Sequence, residues 1–270
     1  MRQLLVFLGV LLAPAVGLAQ TKAATEAAAL ATALRKANDL VLERRYESAW
    51  KLLKITDQMN VEPAVALKKT EVALSYHVGT DELKRFAFRD LPLLAPSLDS
   101  LRQLGKDSIR YSFPVRRVLE KLKNRYPDNY KLDRALGDYY FAVQQCDCAE
   151  EELGEDEVFK RTIRHYQEAH DHGQGDYLSY YALGYAYQRL GRFKESLVPF
   201  ERSIQLRKNY PTSHLNVAFV YLELKEFEQA RDHARQALEL FPDKPHKDDA
   251  AFLLSEIEER MKSSSAAKAP

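Results

Sequence analysis

The stretch YYALGYAYQRLGRFKESLVPF, residues 180–200, carries the plainest structural signal in the chain. Tyr180, Leu183, Gly184 and Tyr187 recur at i, i+3, i+4 and i+7, so they share one face of a helix, and Gly184 lets a neighbouring helix come close. Gly191 breaks the run, and after it Phe193, Leu197, Phe200 and Ile204 mark a second apolar face. The spacing predicts two helices joined by a tight turn. Tyr181, Tyr185 and Gln188 fall about 140° round the first helix at about 100° per residue. The aromatics therefore divide into a core set and a second surface.

Shifted by 34 residues, the pattern returns as Val217, Ala218 and Tyr221, then Phe227, Ala230, Ala234 and Ala237, closed by Pro242. A period of that length signals stacked helical repeats. Tyr180, Leu183-Gly184, Tyr187 and Phe200 in residues 177–210, and Ala218, Tyr221, Ala230, Ala237 and Pro242 in 211–244, resemble the offsets of the tetratricopeptide repeat (TPR) family. Ser196 and Ser203 stand where that family has alanine, and Pro199 lies inside the second helix, where a lost backbone bond of about 3 kcal/mol predicts a kink. A third unit opens at Tyr130 with Leu136-Gly137 and Tyr140. Gly137 and Gly184 are 47 residues apart, so this unit, residues 130–176, carries an insertion over 144–157.

The resemblance implies an all-α, right-handed solenoid of stacked antiparallel helix pairs with a concave groove lined by the first helix of each pair. Carried across residue by residue, the groove positions are Lys131, Arg134, Asp138 and Phe141, then Tyr181, Tyr185 and Gln188, then Leu215, Phe219 and Leu222. Polar at one end and aromatic to aliphatic at the other, such a wall suits an amphipathic or extended segment with apolar anchors. The same residues would also serve as packing between neighbouring repeats, and the sequence leaves both readings open.

Away from the array, residues 20–126 read as degenerate helical repeats, with one pair over 26–60 and a second over 63–90, then an irregular stretch 91–112 and a helix opening at Pro114. Residues 246–262 read as a polar capping helix and 263–270 as a loose tail. Residues 1–19 combine Arg2, the apolar run Leu4–Ala13 and the small residues Gly17 and Ala19, the pattern of a secretory signal peptide cut before Gln20. That run is too short to span a bilayer, so no stable membrane insertion is expected after cleavage. The residue at the cut is Gln20 and not cysteine, which disfavours a lipoprotein, and no Asn-x-Ser/Thr sequon is present, so the expected location is a bacterial periplasm.

Lys and Arg number 40 against 39 Asp and Glu, a balance that excludes a broad nucleic-acid surface. Cys146 and Cys148, beside Glu150, Glu151, Glu152, Glu155, Asp156 and Glu157, offer three readings: incidental thiols on an acidic loop, a disulfide, or a metal or redox site. His170, near the end of the following helix, stands about 20 Å from that loop at about 1.5 Å per residue, so one cluster does not hold both. Nucleotide, hydrolase and zinc-protease motifs are missing from the sequence. The expectation is an exported, non-catalytic scaffold without a cofactor, binding an unidentified protein or peptide. Self-association in the cell envelope is the first alternative, and a metal or redox carrier built on the 144–157 insertion is the second.

Overall fold

A computed structural model describes residues 14–92, 94, 96–103, 109–146 and 153–267. The expected loop residues 147–152, and with them Cys148, lie outside the described residues, as do 1–13 of the expected signal segment. The chain is an all-α solenoid of paired helices divided into two compact units, one of residues 1–79 with 87–107, the other of residues 80–86 with 108–270.

The first unit holds α1 (Pro14–Leu42), α2 (Tyr46–Thr56), α3 (Pro63–Tyr76) and α4 (Leu98–Gln103). Trp50 is 2% exposed and stacks on Phe88 with ring centroids 4.7 Å apart. Lys69 is buried as well. Its Nζ donates to the carbonyl of Asp57, which ends α2, and to Asn60 Oδ1 at 2.7 Å, so a lysine inside the fold closes a helix terminus.

No second helix follows α3. Residues 79–87 instead form a hairpin of β1 (Gly79–Asp81) and β2 (Arg85–Ala87), and β2 pairs antiparallel with β3 (Tyr111–Ser112) in the register Arg85↔Ser112 and Phe86↔Tyr111. Its two turn residues, Glu82 and Leu83, both adopt left-handed backbone with φ of 49° and 50°. Such turns normally announce themselves by Asn-Gly or Asp-Gly. Here the strain is offset by burial, because Leu83 is only 2% exposed and Phe86 is fully buried.

The second unit continues with α5 (Val115–Arg125), α6 (Tyr130–Gln145), α7 (Glu155–Asp171), α8 (Tyr177–Arg189), α9 (Phe193–Leu206), α10 (Pro211–Glu223), α11 (Phe227–Leu240) and α12 (Lys244–Ala267). Helices α6 and α7, α8 and α9, and α10 and α11 pack as hairpins, each against the next, and α12 closes on α11. The sequence grouped α5 with the amino-terminal repeats. Its apolar face, Val115, Val118, Leu119 and Leu122, is buried and α5 packs on α6, which places it in the second unit.

The turn inside each pair is built one way three times. In α8–α9, Gly191 (φ 69°) donates to Gln188 O and Arg192 to Tyr187 O; in α10–α11, Lys225 (φ 63°) and Glu226 do the same to Leu222 and Tyr221. The α1–α2 turn repeats it with Arg44 (φ 60°) to Val41 and Arg45 to Leu40. Left-handed backbone costs a side-chain-bearing residue about 1–2 kcal/mol, so packing imposes this turn on Arg44 and Lys225. Five residues beyond each turn residue stand Ala49, Ser196 and Ala230, all with no exposed surface.

The departures from alanine are accommodated by hydrogen bonds. Ser196 Oγ donates to Phe193 O at 2.7 Å, and Ser203 Oγ reaches Tyr177 O at 2.7 Å and Ser213 Oγ at 2.8 Å, tying α9 to the starts of α8 and α10. Helix α9 runs unbroken from Phe193 to Leu206 through the buried Pro199.

Candidate functional site

Helix α8 is fixed at its start by a reciprocal cap. Ser179 N donates to Asp176 Oδ1 at 2.9 Å, and Asp176 N donates to Ser179 Oγ at 3.0 Å. From that anchor Tyr180 meets His170 of α7 with ring centroids 3.9 Å apart, and Tyr187, 6% exposed, accepts from Gln167 of α7. Tyr181 and Tyr185 stand half-buried.

These two rings meet Phe141 of α6 edge-on, at 6.2 and 6.1 Å between centroids, while Tyr185 also meets Phe159 of α7 at 6.3 Å and Tyr181 meets Tyr210 at 5.5 Å. Edge-to-face geometry at these distances is favourable. Burial pushes the Tyr181 hydroxyl well above the ordinary phenol range, helped by Tyr210 and Tyr185. Arg189 Nη1 donates to Tyr185 Oη at 3.0 Å, with the guanidinium 5.2 Å from the Phe159 ring. Beside this cluster lies a cavity of about 290 Å³ lined by Val143, Gln144, Val158, Phe159, Tyr185 and Arg189, among others. Both side-chain amide atoms of Gln144, and Gln188 Oε1, are buried without a hydrogen-bond partner among the described residues.

The polar end of the expected wall is largely committed inside the chain. Arg134 Nε donates to Asp138 Oδ1 and Oδ2 at 3.0 and 3.2 Å, Nη1 to Gln174 O at 3.3 Å and Nη2 to Asp176 Oδ2 at 3.1 Å; Tyr166 Oη donates to Asp138 Oδ1 at 2.8 Å. Burial raises the Asp138 carboxyl above the usual range, against the pull of Arg134 and the Tyr166 hydroxyl. This network joins α6, α7 and the entry to α8. Lys131 is exposed.

The aliphatic end needs correction. Leu222 is 3% exposed and packs with Ala218, Ala230, Ala234 and Ile257, and Leu215 packs against Ala237, Phe241 and Ala250. Helix α12 supplies Ile257 and Ala250, so Leu222 is removed from any free wall, while Leu215 stays half-buried against the cap. Phe219 stays 36% exposed and meets Phe193 edge-on at 6.2 Å. What the structure brings together is therefore Phe141, Tyr181 and Tyr185, joined by Gln144, Phe159, Arg189 and Tyr210, which the repeat offsets did not point to, while Gln188 follows Tyr185 one turn along α8.

The histidines diverge. His165 Nδ1 lies 3.5 Å from Asp133 Oδ1, His170 Nε2 lies 2.9 Å from Ser179 Oγ, and His172 stacks on Tyr130. Among the described residues no three His, Cys, Asp or Glu side chains gather as metal ligands. Cys146 caps the C-terminus of α6 as a disulfide-bonded half-cystine.

Burial holds His165 below the ordinary imidazole range, with Arg164 adding to the effect, and it holds His170 at about 4, with Arg134 adding to it. The fold thus keeps both rings neutral, whereas the unfolded chain protonates them near pH 6.5. Stability is full above that pH, falls as pH drops toward 4, and levels off below it. A fully shielded ring shifted this far would forfeit about 3 kcal/mol; with both rings partly open to solvent, the pair is expected to lose about 2 kcal/mol between about pH 7 and pH 5. Urea melts of wild type and His165→Gln/His170→Gln check this, since the double variant should lose that part of the acid sensitivity.

Residues 177–210 and 211–244 each match a family model described as tetratricopeptide repeat. No curated protein matches the chain. Among solved structures, MamA of AMB-1 is similar with a TM-score of 0.50 at 21% identity, over 78% of this chain and 90% of that one. MamA of MSR-1 gives 0.50 at 18% identity, over 80% and 96%. TTC0263, a thermophilic TPR protein of Thermus thermophilus, gives 0.50 at 16% identity, over 83% and 98%. At these identities the likeness is one of fold.

Proposed function

We propose that the chain is an exported, non-catalytic scaffold that holds a segment of another protein against Phe141, Tyr181, Tyr185 and Gln188 of α6 and α8, with Phe219 as an outlying contact. The observation that carries the reading is the half-buried ring cluster beside amide groups of Gln144 and Gln188 that find no partner within the described chain. Rings of this kind supply large contact area at low entropic cost, and unpaired buried amides are costly until something meets them. TPR repeats support a protein-interaction role. Export to a bacterial periplasm rests on the amino-terminal charge, apolar run and small residues.

Site-specific photocrosslinking in cells tests the site. A photoreactive phenylalanine analogue at position 185 or 219 should give an adduct with a distinct protein, while the same group at the buried position 222 should give none. Tyr185→Ala/Phe219→Ala should then weaken capture of that protein by about tenfold or more, as the loss of two aromatic contacts implies. Equal adducts at all three positions would remove the site, and an adduct at twice the chain's own mass would replace the adaptor by self-association.

A further inference from the structure

The outward side of α5 carries charge that no ion pair among the described residues neutralises, Arg125 meeting only the Tyr126 ring at 5.4 Å. Its sequence, VRRVLEKLKNR, holds five cations and one carboxylate in a chain whose 40 cations and 39 carboxylates nearly balance. Glu120 is spent within the fold, accepting from Tyr140 Oη at 3.4 Å and lying 4.0 Å from Arg116. Lys123 is spent too, donating to Asp133 Oδ2 and Pro127 O. Arg117, Lys121 and Arg125 remain, all exposed, and none has an ion-pair partner among the described residues. At i, i+4 and i+8 they form one row about 12 Å long. Like charges at that spacing cost the helix a few tenths of a kcal/mol per pair, and no ion pair within the described chain returns it. At the Arg117 end the row runs into a cavity of about 570 Å³ that Asp81, Glu82, Lys84 and Arg85 also line, each carboxylate paired with a cation of the hairpin.

We infer that this row is a docking strip for a carboxylate-rich helical segment of a second protein, separate from the aromatic site. Three features select that partner. Arg117 and Arg125 present planar forks that match carboxylates two bonds at a time. The apolar residues of α5 all face inward, so nothing on the strip can enter a bilayer, and three cations alone hold an anionic surface weakly. A row of three also neutralises too few phosphates to retain nucleic acid at physiological salt. An acidic helix with carboxylates at every fourth residue matches the strip in spacing and in sign.

The test uses the full chain and a fluorescein-labelled, alanine-based helical peptide with glutamate at every fourth position, read by anisotropy. Wild type should bind it at low salt and release it as salt rises. Arg117→Gln/Lys121→Gln/Arg125→Gln should bind at least about tenfold more weakly with an unchanged thermal melt, because these exposed side chains anchor no ion pair among the described residues. A control with the same charge change elsewhere, Lys194→Gln/Lys208→Gln/Lys262→Gln, should bind as wild type does. Equal loss in both variants would reduce the strip to general electrostatics and overturn the assignment. So would tighter binding of a single-stranded oligonucleotide, or of phosphatidylserine vesicles, than of the peptide.

Discussion

Replacing Arg134 by alanine should lower the stability of the second unit by about 2 kcal/mol, less than a broken fully buried ion pair costs because Asp138 keeps 37% of its side chain accessible. The guanidinium is the hub of the joint: it serves Asp138 on its own helix, Asp176 at the cap of α8 and the carbonyl of Gln174 between them. Its loss leaves a carboxylate whose burial already favours the neutral form. The pH dependence separates this from a simple loss of packing. Asp138 has its folded pKa raised, so its charged form penalises the fold at neutral pH, and the penalty lifts as pH falls through that raised value. The gap between Arg134→Ala and wild type should accordingly narrow in acid. Arg134→Met/Asp138→Leu should be more stable than Arg134→Ala alone, since no charge is then stranded. Denaturant melts at two pH values decide it, and a gap independent of pH would show that Asp138 is not the stranded group.

How much of this was legible depends on whether a feature is set by local pattern or by what stacks upon it. The 34-residue offsets gave the helix pairs over 130–244, because apolar periodicity is written directly in the residues. Gly191 announced its turn. Arg44 and Lys225 did not, since their left-handed backbone is imposed by the helices that meet there. The hairpin at 79–87 went unread for the same reason, its Glu82-Leu83 turn lacking the residues such turns favour. The offsets also placed Tyr181, Tyr185, Leu215 and Leu222 on equivalent faces, and equivalence fails at the end of an array. There α12 packs on α10 and α11, Leu222 disappears beneath it and Leu215 is left half-buried at its edge. A repeat pattern tells which way a side chain points and leaves open what covers it. The offset rule had no means of seeing the row on α5, because overall neutrality hides charge gathered on a single helix.

The second large effect concerns how closely the paired helices approach. A methyl group added to Gly184 would stand 2.7 Å from Cδ1 of the fully buried Phe200, and one added to Gly137 would stand 2.6 Å from the Tyr166 ring. The third pair solves the same crossing with the sizes exchanged. Ala218 takes the glycine position, and Ala234 takes the place of the ring, both fully buried in one cluster. Each crossing thus stays close in one of two ways, a large ring facing no side chain or two alanines facing each other. In a solvent-facing helix, glycine to alanine stabilises by about 1 kcal/mol. Gly184→Ala should instead destabilise by about 1–3 kcal/mol, because Phe200 has no free space into which to retreat. Phe200→Ala should cost about 3–5 kcal/mol by leaving a cavity. The double variant Gly184→Ala/Phe200→Ala rebuilds the crossing found between α10 and α11, so it should be more stable than the sum of the two losses by at least about 1 kcal/mol. Urea melts of the four proteins close the cycle. Additive losses, or a stabilising Gly184→Ala, would mean that the glycine is tolerated at this crossing rather than required by the ring opposite.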